Sequence, residues 1–311
     1  MHAPLPARDG VAPSYIWLPE GKWHNILDFL TSYFPDVSTE TWQLRIARNE
    51  VVDAHGVPCQ PDTPAKRGMC IYYYRELENE TPIPFEASIL HLDDHLLVAD
   101  KPHFLPVTPG GRFLHETLLV RLKKETGLPH LTPIHRLDRE TAGVILFSHN
   151  PESRGRYQAL FQQRAIRKTY YALAPALPET QFPCTHQSHM REGEHFFTMQ
   201  EAPGIINSET WIDIAESYGA YNLYLLKPVT GKKHQLRVHL ASIGAPIVND
   251  SFYPVTQACR GDDFSAPLQL LAKAIAFDDP LSGETREFIS QRSLQTGVAH
   301  DRTGPAIDSV P

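Results

Sequence analysis

Ile134-His135-Arg136-Leu137-Asp138-Arg139-Glu140-Thr141-Ala142-Gly143-Val144-Ile145-Leu146-Phe147 is the stretch on which the reading of the chain turns. It follows Pro133 and closes in the β-branched and aromatic run Val144–Phe147, which reads as a buried strand. Ahead of that strand Asp138 stands between Arg136 and Arg139, in a segment that Pro133 and Gly143 make irregular. Charges pressed against a core strand are costly unless paired, so the cluster points toward function. A plain surface turn, with Arg136 bridging to Glu140, is the competing reading, and the neighbouring sequence decides between them.

Downstream, Pro151 to Arg164 reads as a helix with Tyr157, Leu160 and Phe161 on one face. The strand Ile166–Leu173 follows, and period-two alternation puts Lys168, Tyr170 and Ala172 on the same side. No acidic residue occurs from Ser153 through Pro178, while Arg154, Arg156, Arg164, Arg167 and Lys168 all do. A second acid-free window, Ser217 to Asn249, holds the alternating strand Tyr221–Leu226, a Thr230-Gly231 turn and a helix over 233–243 stopped by Gly244. Upstream, 89–101 reads as two strands about an acidic turn, and 117–126 as a short helix ended by Gly127 and Pro129.

The N-terminal part reads differently. Residues 1–19 carry four prolines and little pattern, as a flexible arm would. Residues 20–76 spell two amphipathic helices, the second capped by Ser38 or Thr39, and then short strands at 50–53 and 71–74. Residues 77–84 form a proline-marked linker, and 291–311 lose periodicity as a disordered tail does.

With 311 residues the chain holds one large domain and a small one. A net charge of −7 argues against indiscriminate coating of nucleic acid, though not against a local basic groove. There is no run of the ~20 apolar residues that spanning a bilayer requires and no secretory leader pattern at Met1. Cys59, Cys70, Cys184 and Cys259 form no C-x-x-C pair, which suits reduced thiols. The expected setting is the cytoplasm, without membrane association.

His135-Arg136-Leu137-Asp138-Arg139-Glu140-Thr141-Ala142-Gly143 resembles the signature His-Arg-Leu-Asp-x-x-Thr-Ser/Ala-Gly of RluA-type RNA pseudouridine synthases. Two further segments resemble the same family in the same order: Lys168-Thr169-Tyr170-Tyr171-Ala172, and Thr230-Gly231-Lys232-Lys233-His234-Gln235-Leu236-Arg237-Val238-His239-Leu240. The resemblance covers about residues 85–290. It implies an α+β fold, a catalytic domain around a long mixed, largely antiparallel sheet, and conversion of uridine in ribosomal or transfer RNA to pseudouridine by a monomer. It also implies Asp138 as catalytic carboxylate, Tyr170 and Arg237 as its catalytic partners, and RNA contacts from Arg136, Thr141, Lys168, Lys233, His234 and Gln235. Residues 20–76 resemble, more thinly, the αL RNA-binding module, in which Arg45 and Arg48, three apart on the second helix, would contact phosphate, although residues 1–80 hold seven Lys/Arg against eleven Asp/Glu.

These residue types suit that chemistry. Isomerisation at a glycosidic bond needs no redox step, so neither cofactor nor metal is expected. A carboxylate works as nucleophile or base only when ionised, a form that a neighbouring guanidinium favours. An aromatic ring holds a flat base by stacking, and a tyrosine hydroxyl can also handle a proton. His135 and His239 read as structural hydrogen-bonding groups. Leu271 stands where the family usually has His, and Ala142 where Ser is commoner. Two other readings stay open on sequence alone. One is a non-catalytic RNA-binding paralogue. The other is a metal-dependent hydrolase using His186 and His189 with Cys184 and His195, in what reads as a loop.

Overall fold

The computed structural model describes residues 3–77, 79–257 and 261–295. The chain divides into two compact units, Met1–Glu80 with Thr108–Gly127, and Thr81–Val107 with Leu128–Pro311.

In the first unit β1 (Ser14–Trp17), β2 (Val51–Asp53) and β3 (Cys70–Tyr73) make an antiparallel sheet in the order β1-β3-β2. Two helices cover it: α1 (Ile26–Tyr33), capped by the Asn25 side chain, and α2 (Thr39–Ala47), capped by Ser38. Their apolar faces meet the sheet in one cluster that includes Ile26, Phe29, Leu30, Trp42, Ile46 and Ile71. Two expectations change here. Residues 14–17 are no loose arm, because Tyr15 and Ile16 pair with Tyr72 and Ile71 across the sheet. Arg45 does not face solvent as a phosphate contact would. It is buried, stacks over Trp42 at 4.9 Å and bonds Glu76 at 3.1 Å.

The unit also takes in 108–127, which the sequence places in the catalytic domain. α3 (Leu118–Thr126) starts at Thr117, whose hydroxyl accepts the Val120 N–H, and ends at Gly127 with φ 69°. Leu114 and Val120 pack with Val11 and Leu77. Glu80, read as linker, accepts the backbone N–H groups of Leu114, His115 and Glu116 at 2.6–2.8 Å.

The second unit is built on an eleven-stranded sheet. Its main path runs β10-β9-β11-β12-β8-β13-β7-β5-β4, with β14 joined to β13 and β6 to β7. The strands are β4 (Ser88–Leu92), β5 (Leu96–Lys101), β6 (Thr132–Pro133), β7 (Ala142–Ser148), β8 (Arg167–Pro175), β9 (Cys184–Glu192), β10 (Met199–Ala202), β11 (Ser208–Tyr218), β12 (Tyr221–Pro228), β13 (Leu270–Asp278) and β14 (Thr285–Ile289). All pairings are antiparallel except β13 with β7. The expected α+β class with a mixed, largely antiparallel sheet is the one found.

Two helices flank the sheet. α4 (Pro151–Gln162) lays Tyr157, Leu160 and Phe161 against Val98, Val144, Leu146 and Phe277. α5 (Gln235–Ser242) buries Leu236 and Leu240 against Ala172, Tyr224, Leu226 and Leu270. At the parallel junction Leu271 pairs with Ala142 and Ala272 with Gly143. Gly143 has φ +115°, and a Cβ there would lie 2.2 Å from the Ala272 carbonyl oxygen. The glycine of the motif is therefore required by backbone approach. Leu271, where a histidine is usual, is buried in this junction.

Residues 291–295, expected to open a disordered tail, are hydrogen-bonded. The Gln291 N–H and the Ser290 hydroxyl donate to buried Asp100, and the Gln295 N–H donates to Gln269. Residues 296–311 of that expected tail lie outside the described residues.

Candidate active site

Segments of the second unit converge on one cleft of about 800 Å³: the 135–141 turn before β7, the end of α4 with the start of β8, the 206–207 loop before β11, the β12–α5 turn, and Leu270 of β13. The size suits a nucleoside-sized ligand. The strand alternation read from sequence holds, since Lys168 and Tyr170 of β8 both line it. Arg136, Thr141, Lys233, His234, Gln235 and Arg237 line it as well. Among the lining residues Asp138 is the single carboxylate, set among Arg136, Arg164, Lys168, Lys232, Lys233 and Arg237. Local charge in the cleft thus opposes the net charge of the chain.

The turn carrying Asp138 is held from behind. Its carbonyl accepts the Thr141 N–H at 3.1 Å. Lys101, fully buried at the end of β5, donates to the carbonyls of Pro102, Leu105 and Arg139 at 2.9–3.0 Å. Burial pushes its ammonium down to about 7, yet three carbonyl acceptors are what the three N–H donors of an ammonium need. His135 accepts the Leu146 N–H at 3.0 Å and stacks on Phe161. Burial takes its pKa down to about 3, as suits a neutral structural ring. Arg136 is exposed at the cleft and does not bridge to Glu140, which instead lies 3.4 Å from Arg237.

Arg237 is the pivot. Its side chain is 2% exposed, and its first partner is Asp250, reached at 2.8 and 2.7 Å through Nε and Nη2. The ion pair expected with Asp138 exists but is looser, with Nη1 3.6 Å from Asp138 Oδ2. Burial works to lower the guanidinium pKa, but the hydrogen bonds and charge of Asp250, then Asp138 and Glu140, outweigh it and the pKa is raised. Asp250 and Tyr253 are absent from the sequence reading, and Glu140 enters it only as a surface partner of Arg136. Asp250 stands just beyond the acid-free window and has no neighbouring motif to flag it.

Tyr170 lies among buried apolar groups, and burial followed by the nearby Asp138 charge raises its pKa above the ordinary tyrosine value. Its hydroxyl is therefore protonated at neutral pH. Lys168 donates to the Thr230 carbonyl at 3.2 Å and is pushed down to about 8 by burial and Arg164. Gln235, expected to contact RNA, lines the cleft with its amide already bonded. Its amide is spent internally: Oε1 accepts from Thr230 and the Lys232 N–H, and Nε2 donates to the Glu209 carbonyl and Thr210. It shapes the β12–α5 turn.

The histidines of the hydrolase reading are not in a loop. Residues 184–192 form β9, and His186 and His189, three apart, alternate onto opposite faces. His189 meets the Ile205 carbonyl at 2.7 Å. His186 does approach Glu201 and His239, with candidate ligand atoms within 4.8 Å of one another. Protein groups already engage them. His186 is 2.7 Å from Glu201, and the two His239 nitrogens meet Thr210 at 2.9 Å and Ser208 at 3.0 Å.

The cleft is cationic, with one carboxylate, one tyrosine and one clamped arginine among its lining residues, and comparison with known proteins gives its family. The family model described as RNA pseudouridylate synthase matches residues 95–242. An uncharacterized RNA pseudouridine synthase of Synechocystis, slr1592, is 31% identical over 237 residues, covering 73% of this chain and 79% of the relative. The dual-specificity RNA pseudouridine synthase RluA of Vibrio vulnificus is 31% identical over 219 residues, covering 66% of this chain and 83% of the relative. The solved structure of human RNA Pseudouridylate Synthase Domain Containing 4 aligns at TM-score 0.53 and 25% identity, over 68% of this chain and 90% of that one. This chain belongs to the RNA pseudouridine synthase family. Within it the chain is of the RluA type, an isomerase that converts uridine in RNA to pseudouridine.

Proposed function

We propose that Asp138 is the catalytic carboxylate of this isomerisation, acting on a uridine turned out of a folded ribosomal or transfer RNA into the cleft. The observation that carries the reading is its position as the single carboxylate among the lining residues of a cleft otherwise edged by cations. The N1–C1′ glycosidic bond breaks, the uracil turns, a C5–C1′ bond forms, and the C5 proton leaves while N1 gains one. Atoms balance without oxidant or reductant. Asp138 serves the sugar side of this sequence as an ionised group. Arg237, clamped by Asp250, sets a positive charge beside it. Tyr170 offers its ring to the uracil face. Because its hydroxyl stays protonated, it serves the C5 proton as a relay, passing its own proton on as it receives another.

Arg136, Lys168, Lys232 and Lys233 hold the phosphates beside the extruded nucleotide. The enzyme acts as a monomer in the cytoplasm. Among the described residues no helix is long and apolar enough to cross a membrane. The test uses RNA tritiated at uracil C5, from which isomerisation releases tritium to water. Asp138→Asn, which keeps shape and loses charge, is expected to bind RNA as the parent does and release none. Release at anything near the parent rate removes Asp138 from the role. A parent enzyme that binds RNA and releases no tritium from any ribosomal or transfer RNA supports the non-catalytic paralogue instead.

A further inference from the structure

His234 opens α5 in the left-handed region, φ 55°, a conformation costly for a residue with a Cβ. Strain of that kind persists where surrounding contacts impose it. The contact here is Tyr253, whose hydroxyl oxygen lies 2.8 Å from His234 Nδ1. The same oxygen accepts the backbone N–H of Met199 at 2.8 Å. A backbone N–H can only donate, so the Tyr253 hydroxyl hydrogen needs an acceptor of its own. Tyr253 is buried, and an orphaned hydroxyl hydrogen there would be costly. His234 Nδ1 is the acceptor at hand. The ring is neutral at pH 7: burial first, then the charges of Arg237 and Lys233, outweigh Asp138 and Asp250 and bring its pKa to about 4. With Nδ1 accepting, the single ring proton resides on Nε2.

That nitrogen faces the reaction. His234 Nε2 lies 3.8 Å from Asp138 Oδ2, the same oxygen that Arg237 Nη1 approaches at 3.6 Å. Two donors thus converge on Oδ2 and none of the described contacts falls on Oδ1. Both separations exceed hydrogen-bond length by less than ~1 Å, and contacts of this kind tighten on substrate binding. We propose that Tyr253 fixes His234 as the Nε2–H tautomer, and that His234 together with Arg237 holds Asp138 by Oδ2, leaving Oδ1 as the oxygen that works on the ribose. His234 and Tyr253 are then positioning residues. The inference rests on the assignment of Asp138 above.

The test has two arms. In the first, long-range proton–nitrogen spectra of RNA-free enzyme labelled with ¹⁵N-histidine are recorded at pH 7, with His234→Gln identifying the His234 signals. The expected pattern is an unprotonated Nδ1 and a proton-bearing Nε2, with the tautomers mixed in Tyr253→Phe. A proton-bearing Nδ1 in the parent enzyme overturns the assignment whatever the activity. In the second arm, single-turnover tritium release is measured at saturating RNA. His234→Ala is expected to fall about 10–100-fold, the worth of one hydrogen bond to a charged group, with RNA affinity unchanged. His234→Gln, which keeps an N–H donor at the same distance along the side chain, recovers most of the rate, and Tyr253→Phe falls between. A His234→Ala enzyme that loses affinity but not rate, or a Gln variant no better than Ala, overturns the positioning role. Asp138→Asn is run alongside: if it is active the underlying assignment fails, and if it is inactive while His234→Ala is unaffected, only this inference does.

Discussion

Replacing Asp250 by Ala tests where the stability of the site resides. Its side chain is fully buried and makes four hydrogen bonds, two from the Arg237 guanidinium and two from the backbone N–H groups of Phe252 and Tyr253 at 2.8 and 3.1 Å. Breaking a buried ion pair by removing one partner costs roughly 3–5 kcal/mol, because the other charge is left uncompensated. Two effects act on that figure in opposite directions. Glu140 at 3.4 Å and Asp138 at 3.6 Å remain to neutralise Arg237 in part, while two stranded backbone donors add about 1–3 kcal/mol each where water cannot reach them. A net loss of about 4 kcal/mol is the reasonable centre. Native-state hydrogen exchange of the α5 amides reads it directly, as protection falling about a thousandfold, since each 1.4 kcal/mol is a factor of ten. Asp138→Asn is the control: that side chain is 21% exposed and its nearest cation is looser, so protection should change by less than about tenfold. An Asp250→Ala protein with α5 protection within tenfold of the parent refutes the argument, as does an Asp138→Asn protein that loses more.

Three further outcomes follow from the same geometry. Tyr170→Phe keeps the ring and removes the hydroxyl, so RNA binding should persist while tritium release slows at least about tenfold; an unchanged single-turnover rate takes the hydroxyl out of the reaction. Gly143→Ala should cost more than about 3 kcal/mol, because its Cβ would meet the Ala272 backbone at 2.2 Å with φ at +115°, and a variant with the parent's urea midpoint would show that the β13–β7 junction is not as close as described. Stability should fall as pH drops from 6.5 toward 4. Burial holds His103, His234 and His239 at about 4 and His135 at about 3, against an ordinary 6.5. In that window the unfolded chain binds protons that the folded chain refuses, which lowers stability by up to about 1.4 kcal/mol per pH unit for each ring; a urea midpoint level between pH 6.5 and 4.5 would contradict the burial of these rings.

What the sequence disclosed and what it withheld divide by the range of the interaction. α3 was legible at both ends because a Thr117 hydroxyl and a left-handed Gly127 act on their own turn. Lys168 and Tyr170 could be put on one face because strand alternation is a property of the backbone alone, and both do line the cleft. β9 escaped because its outward face is polar and exposed, so Thr185 and Gln187, with His186 between them and His189 beyond, offer no apolar alternation. Arg45 sits at a spacing that suits a phosphate-facing helix. Whether it faces solvent was settled by Trp42 and by Glu76, 31 residues away, and they bury it.

Segment 108–127 belongs with the N-terminal unit for a similar reason, since Leu114 and Val120 find their apolar partners at Val11 and Leu77. The active site shows the division most sharply. Asp138, Tyr170 and Arg237, the reacting groups of the proposed mechanism, lie in recognisable segments, but the state of each is set by groups with no signature. The charge of Arg237 is held chiefly by Asp250, 13 residues on, and secondarily by Glu140, 97 residues back. The proton on His234 is placed by Tyr253, which is itself oriented by a backbone N–H from β10. A motif therefore names the reacting groups, while protonation state and orientation come from contacts that exist only once the sheet and α5 are assembled. Substitutions at Asp250 or Tyr253 leave every family motif intact and are still expected to reach Asp138, through the guanidinium and the imidazole that approach its Oδ2.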